Sequence, residues 1–99
     1  MVTKEEAKRY VCDVAPEQCF WVNNGPILKN IEDLANALSD MNNEIFHHHV
    51  NKEKNDFSAW INDVIGDKKL ANELLSSRDK ESVLKKVKNR LNSLKKKAG

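Results

Sequence analysis

The chain has 99 residues, 39% of them hydrophobic and 32% charged, with a formal net charge of +2. A chain of this size buries roughly 65% of its unfolded surface, enough for one modest core and no second domain. The balance excludes a disordered chain, the short apolar runs exclude a membrane-spanning helix, and the N-terminus lacks the apolar core of a secretory signal, so the cytoplasm is the expected location.

Thr3-Lys4-Glu5-Glu6 matches a capping box, with Thr3 as N-cap and Glu6 reaching back from N3. Ala7, Tyr10, Val11 and Val14 follow at helical spacing, and Pro16 ends the helix because the residue before a proline is pushed out of α geometry. Aromatic and β-branched residues around Asn24-Gly25 then predict a β-hairpin near residues 19–28, since Asn and Gly tolerate positive φ. Pro26 lacks an N–H, which makes its strand an edge. Asn30 caps a helix carrying Ile31, Leu34, Ala35, Leu38 and Met41, and a shorter helix starts somewhere from Asp40 to Asn43 and runs to about Val50.

After the polar loop 51–54, Asn55 and Asp56 supply an N-cap for a helix with Phe57, Trp60, Ile61, Val64 and Ile65 inward. Gly66 closes it in the left-handed region, and Asp67 caps a helix whose buried stripe is Leu70, Ala71, Leu74 and Leu75. A last helix from about Lys80 turns Val83, Leu84, Val87, Leu91 and Leu94 to one side. The predicted fold is a mainly α bundle of about five to six short helices with one small hairpin. Residues 1–94 form a single domain, and 95–99 a basic, flexible tail.

The chain resembles an uncharacterised family of small prokaryotic domains of unknown function. The resemblance runs over roughly residues 19–75: an aromatic strand at Phe20-Trp21, a helix start from Leu28 to Leu34, and His49 before a short loop. The Asn55-Asp56-Phe57-x-x-Trp60 helix start and the Val64-Ile65-Gly66-Asp67 break complete it, the helix start being its most specific part. It implies a shared helical fold and an intracellular life, and it carries no catalytic residue.

Several residues invite a function. His47, His48 and His49, with Cys12 and Cys19, suggest a metal site, since imidazole and thiolate are good ligands. The spacing opposes it: adjacent helical residues turn by about 100°, so His49 faces inward while His47 and His48 face outward. The cysteines lack the short spacing of zinc hooks and are read as reduced thiols. Asn55 and Asp56 invite a catalytic amide–acid pair with His49 as base, but Asn and Asp before an apolar period are preferred helix caps and are read as such, and Phe57 and Trp60 belong to the core stripe. No nucleophile elbow, phosphate-cradling loop or zincin motif is present, and neither cofactor nor bound metal is expected.

Charge is unevenly placed. Residues 78–99 carry nine Lys/Arg against two acids, a net of +7, leaving −5 for the remainder. Lys85, Lys86, Lys88, Arg90, Lys95, Lys96 and Lys97 suit non-specific contact with RNA or DNA. The helix pair around Gly66 superficially matches a helix-turn-helix, but Lys68, Lys69 and Asn72 beside Glu73 make a thin recognition surface. A membrane contact is disfavoured because the last helix lacks apolar aromatics. Trp21 and Asn24 on the hairpin are the residues best suited to a protein partner. The sequence therefore reads as a non-enzymatic binding or adaptor module for an unidentified protein. RNA or DNA binding through the last helix is the alternative, metal binding a third reading, and the oligomeric state stays open.

Overall fold

The computed structural model describes residues 2–99. Helix α1 (Lys4–Val11) begins at the capping box, with the Glu6 amide donating to Thr3 Oγ1 at 3.1 Å and the Thr3 amide to Glu6 Oε1 at 3.0 Å. It ends one turn before its apolar pattern does. Cys12 is extended, and the Val14 amide donates to Lys29 O at 2.8 Å instead of continuing the helix. Pro16 opens a short 3₁₀ turn over Pro16–Gln18, where its missing N–H has no partner to lose.

Strands β1 (Phe20–Trp21) and β2 (Ile27–Leu28) pair antiparallel, Phe20 opposite Leu28 and Trp21 opposite Ile27. A turn over Val22–Gly25 joins them, closed by the Gly25 amide donating to Val22 O at 3.0 Å. Asn24 alone in the turn carries a positive φ, 55°, a region that asparagine enters more readily than most residues. Gly25 serves a different need: a Cβ there would stand 2.8 Å from Val22 Cγ1.

Helices α2 (Ile31–Asp40) and α3 (Asn43–His49) follow, capped by Asn30 and Asn42. Helix α4 (Asp56–Trp60) is capped by Asn55, whose Oδ1 accepts the Ser58 amide at 3.0 Å. The regular helix expected through Ile65 widens into a π turn over Ile61–Ile65. Its closing bond runs from the Gly66 amide to Ile61 O at 2.7 Å, and Gly66 reverses the chain with φ 90°. The widened turn leaves Val64 only partly buried.

Helix α5 (Lys68–Leu75) is capped by Asp67 and buries Leu70, Ala71 and Leu74. Leu75, expected in that stripe, is 61% exposed. The helix stops there, and the side chain borders the 51–54 loop rather than the core.

Helix α6 (Lys80–Ala98) lies against α1, α2 and α5 and buries Val83, Val87, Leu91 and Leu94 completely or nearly so. It folds back onto the core instead of projecting. It also continues through the lysines expected as a tail, carried by buried Leu94, partly buried Ala98 and a 3.2 Å ion pair from Lys95 to Glu32.

Arg90 and Lys86 fasten α6 to the two ends of α5. Arg90 grips Asp67 with both arms, Nε to Oδ2 at 2.7 Å and Nη2 to Oδ1 at 2.9 Å. Asp67 is 1% exposed, and its Oδ1 also accepts the Leu70 amide at 3.3 Å. Lys86 closes the other end of α5, donating to Glu73 O at 3.0 Å and to the hydroxyls of Ser76 and Ser77.

Removing one partner of a buried pair strands the other charge, so Arg90→Met is expected to lower stability by about 3–5 kcal/mol. Asp67→Asn in the same chain keeps a capping oxygen and should recover much of that loss. Urea unfolding with an unchanged slope checks both.

Candidate functional site

The alternation of side chains along the hairpin divides it into two faces. Phe20 and Leu28 point inward. The Phe20 ring meets His49 and Phe57 at centroid distances of 5.1 Å and Trp60 at 5.9 Å. Trp21 and Ile27 point outward and are 72% and 46% exposed. A tryptophan and an isoleucine paired across two strands form a small apolar ridge, separate from the lone exposed Leu75 at the end of α5.

Below that ridge the hairpin is held by His49. Its side chain is 7% exposed, and Nδ1 lies 2.9 Å from Asp56 Oδ2. An ionised Asp56 fixes the proton on Nδ1, leaving the Nε2 lone pair to accept the Asn23 amide at 3.1 Å. One ring thus ties the hairpin turn to the start of α4. The Asp–His pair has the geometry of a catalytic dyad, but the nitrogen that a base would use already holds a backbone N–H. Burial pushes the Asp56 carboxyl up, yet the hydrogen bonds from His49 and Lys54 and the charge of Lys54 outweigh it and hold the group below the usual carboxylate range.

Two grooves flank Ile27. One, of about 480 Å³, lies between the hairpin and the α2–α3 pair. Its floor is Val22, Leu28, Ala37, Met41 and Ile45, and Asn24, Asp33, Asn36 and Asp40 stand around it. The other, also about 480 Å³, runs past Val14, Pro16, Cys19 and Trp21. Sequence reading singled out Trp21 and Asn24, which the structure brings to this surface. It missed Ile27 and the two α2 carboxylates, because the groove exists only once the hairpin lies on α2. The i, i+7 spacing of Asp33 and Asp40 was the available signal.

The other candidate residues lie elsewhere. Lys85, Lys88, Lys96 and Lys97 are exposed on α6 and make no salt bridge among the described residues. Lys86 and Arg90 are committed to α5 and Asp67, and Lys95 to Glu32. A cleft of about 650 Å³ between α1 and the start of α5 gathers Arg9, Lys68 and Lys69, with Glu6 beside them. His47 and His48 face outward, and Cys12 and Cys19 are free thiols. Among the described residues, no three His, Cys, Asp or Glu side chains are grouped to hold a metal ion. No helix among the described residues is long and apolar enough to cross a membrane. No protein-family model, curated protein or solved structure matches the chain.

His49→Ala is expected to cost about 2–4 kcal/mol through the cavity and the stranded polar partners, and to speed hydrogen exchange at the Asn23 amide. Because the folded Asp56 pKa is depressed, its contribution to stability is complete above about pH 5 and disappears as acid titrates the folded carboxylate. Unfolding midpoints measured from pH 6 down to pH 2 should therefore fall less in Asp56→Asn than in the wild type.

Proposed function

We propose that the chain is a non-enzymatic, cytoplasmic protein-binding module whose contact surface is the outer face of the hairpin. The observation that carries this reading is Trp21, 72% exposed and paired with exposed Ile27. Tryptophan is among the side chains that dominate interface energetics, because it brings a large rigid surface and one N–H donor. The aromatic layer beneath the hairpin and the His49 clamp hold that face in shape before any partner arrives, which lowers the ordering cost of association. The cytoplasmic location accords with two unbridged cysteines.

A second reading, non-specific RNA or DNA binding by α6, draws support from exposed Lys85, Lys88, Lys96 and Lys97. It is the weaker one, since Lys86 and Arg90 fasten α6 to α5 and Asp67 and Lys95 is paired. Any charge-removal test of it must leave Lys86 and Arg90 in place.

Three tagged proteins, recovered from cells that make the protein, separate the readings: wild type, Trp21→Ser, and the quadruple variant of Lys85, Lys88, Lys96 and Lys97 to Gln. All three should unfold at similar temperatures. The expected outcome is a protein partner lost from Trp21→Ser and retained by the lysine variant. Labelled RNA and DNA should show at most weak anisotropy changes at 150 mM salt. Identical partner sets for wild type and Trp21→Ser would overturn the hairpin reading. Steeply salt-dependent nucleic-acid binding that vanishes in the lysine variant would put the second reading first.

A further inference from the structure

We infer that the groove between the hairpin and α2 receives a basic amphipathic segment of a partner protein: an apolar anchor side chain flanked by two Lys or Arg residues. The inference rests on the protein-binding reading and adds the class of the ligand. Its floor is aliphatic, formed by Leu28, Ala37, Met41 and Ile45. Such a floor takes a Leu, Ile, Met or aromatic side chain and discriminates against a polar one. The wall formed by α2 supplies the charge. Asp33, Asn36 and Asp40 lie at i, i+3 and i+7, one stripe along the helix and along the groove.

Asp33 uses Oδ2 to accept the Lys29 amide at 3.0 Å, and Asp33 Oδ1 makes no hydrogen bond among the described residues. Asp40 makes neither a hydrogen bond through its side chain nor an ion pair there. It also stands in the last turn of α2, which has no basic residue, where an acid meets the negative end of the helix dipole. Lys80 reaches this end from α6 but donates to Met41 O at 2.7 Å and does not line the groove. The wall therefore presents two carboxylates without cationic partners, beside an apolar trough.

The spacing sets the register of the ligand. Seven helical residues rise about 10 Å. Cations that answer Asp33 and Asp40 together are thus three residues apart in an extended segment, or seven apart on a helix. The outer face of α6 does not meet the specification: between its exposed lysines Lys85, Lys88, Lys95 and Lys96 stand only Asn89, Asn92 and Ser93, with no apolar anchor. The inferred ligand is a segment of another protein, and a second copy, whose exposed Leu75 borders Lys52, Lys54 and Arg78, is an outcome the test separates.

The test is selection of binders from a random peptide library displayed on phage, with the folded wild-type protein as bait. The expected outcome is enrichment of sequences with Lys or Arg three or seven residues apart around an aliphatic or aromatic residue. A selected peptide, labelled and titrated by anisotropy, should bind about tenfold more weakly to Asp33→Asn/Asp40→Asn. It should also weaken as salt is raised. Asn at both positions keeps the fold, since the Lys29 amide still finds an acceptor, and equal unfolding midpoints verify it. Selection of acidic or uncharged peptides, binding unaffected by the double substitution, or no enrichment at all would each overturn the inference. Binding that requires Trp21 but not the two carboxylates would sink this inference alone. Binding that requires neither would remove the hairpin reading with it. Concentration-dependent self-association abolished by Asp33→Asn/Asp40→Asn would make a second copy the occupant instead and overturn the inference as stated.

Discussion

The fold depends on one buried carboxylate. Asp67 follows the αL glycine that ends the π turn, caps α5 and is held by both arms of Arg90. Two successive elements, the π turn and α5, and the terminal helix meet at that side chain. A carboxylate 1% exposed is costly to bury alone. The cap and the bidentate guanidinium together satisfy it, and the pair raises the Arg90 pKa further through the hydrogen bond, against the opposing effect of its own partial burial. The consequence is positional rather than only energetic. With Arg90 fixed on Asp67 and Lys86 on the end of α5, the rotation of α6 about its axis is set, and Val83, Val87, Leu91 and Leu94 are directed into the core.

That constraint explains which parts of the molecule were legible in the sequence. Caps were, because an Asn or Asp before an apolar period acts within three residues: Thr3, Asn30, Asn55 and Asp67 all accept the predicted local amides. The apolar period of α2 was equally plain. Features set by distant partners were not. Val14 leaves the α1 pattern because Lys29 O takes its amide, and Leu75 leaves the α5 stripe because the helix ends under it. Arg90 looked like one member of a basic helix face, since nothing in the local pattern separates it from Lys85 or Lys88. Its role follows from Asp67, 23 residues away. His49 was legible as inward-facing from the helical period, but its second partner, the Asn23 amide, lies 26 residues back.

The candidate surface shows the same division. Trp21 was visible as an aromatic on a hairpin, whereas its value as a contact depends on what holds it. Phe20 seats the strand on His49, Phe57 and Trp60, and the Trp60 indole N–H donates to Gln18 O at 2.8 Å just before that strand. The two-residue strands would be marginal in isolation. Here they are pinned from beneath by aromatic contacts and from the turn by an imidazole, so the outer face is braced although its own ladder is short. A braced, partly apolar patch on a short sheet is suited to recognition, because few rotamers have to be ordered when a partner docks.

The opposite charges of the two parts of the chain acquire a structural meaning from this arrangement. The excess of acid before residue 78 is not spread evenly over the surface: Asp33 and Asp40 share one stripe of α2 and border the groove beside the hairpin. The excess of base after it is thinned where α6 meets the core, since three of its cations answer Asp67, Glu32 and the end of α5. What remains on α6 is a set of solvated lysines without an aromatic among them, a surface that suits solubility and weak phosphate contact. The acidic groove combines carboxylates with an apolar floor and an adjoining exposed tryptophan. Charge alone favours any counter-ion, while charge placed at a defined spacing around an apolar trough discriminates among ligands. The net positive charge of the whole chain therefore points to the wrong end of the molecule as the more selective surface.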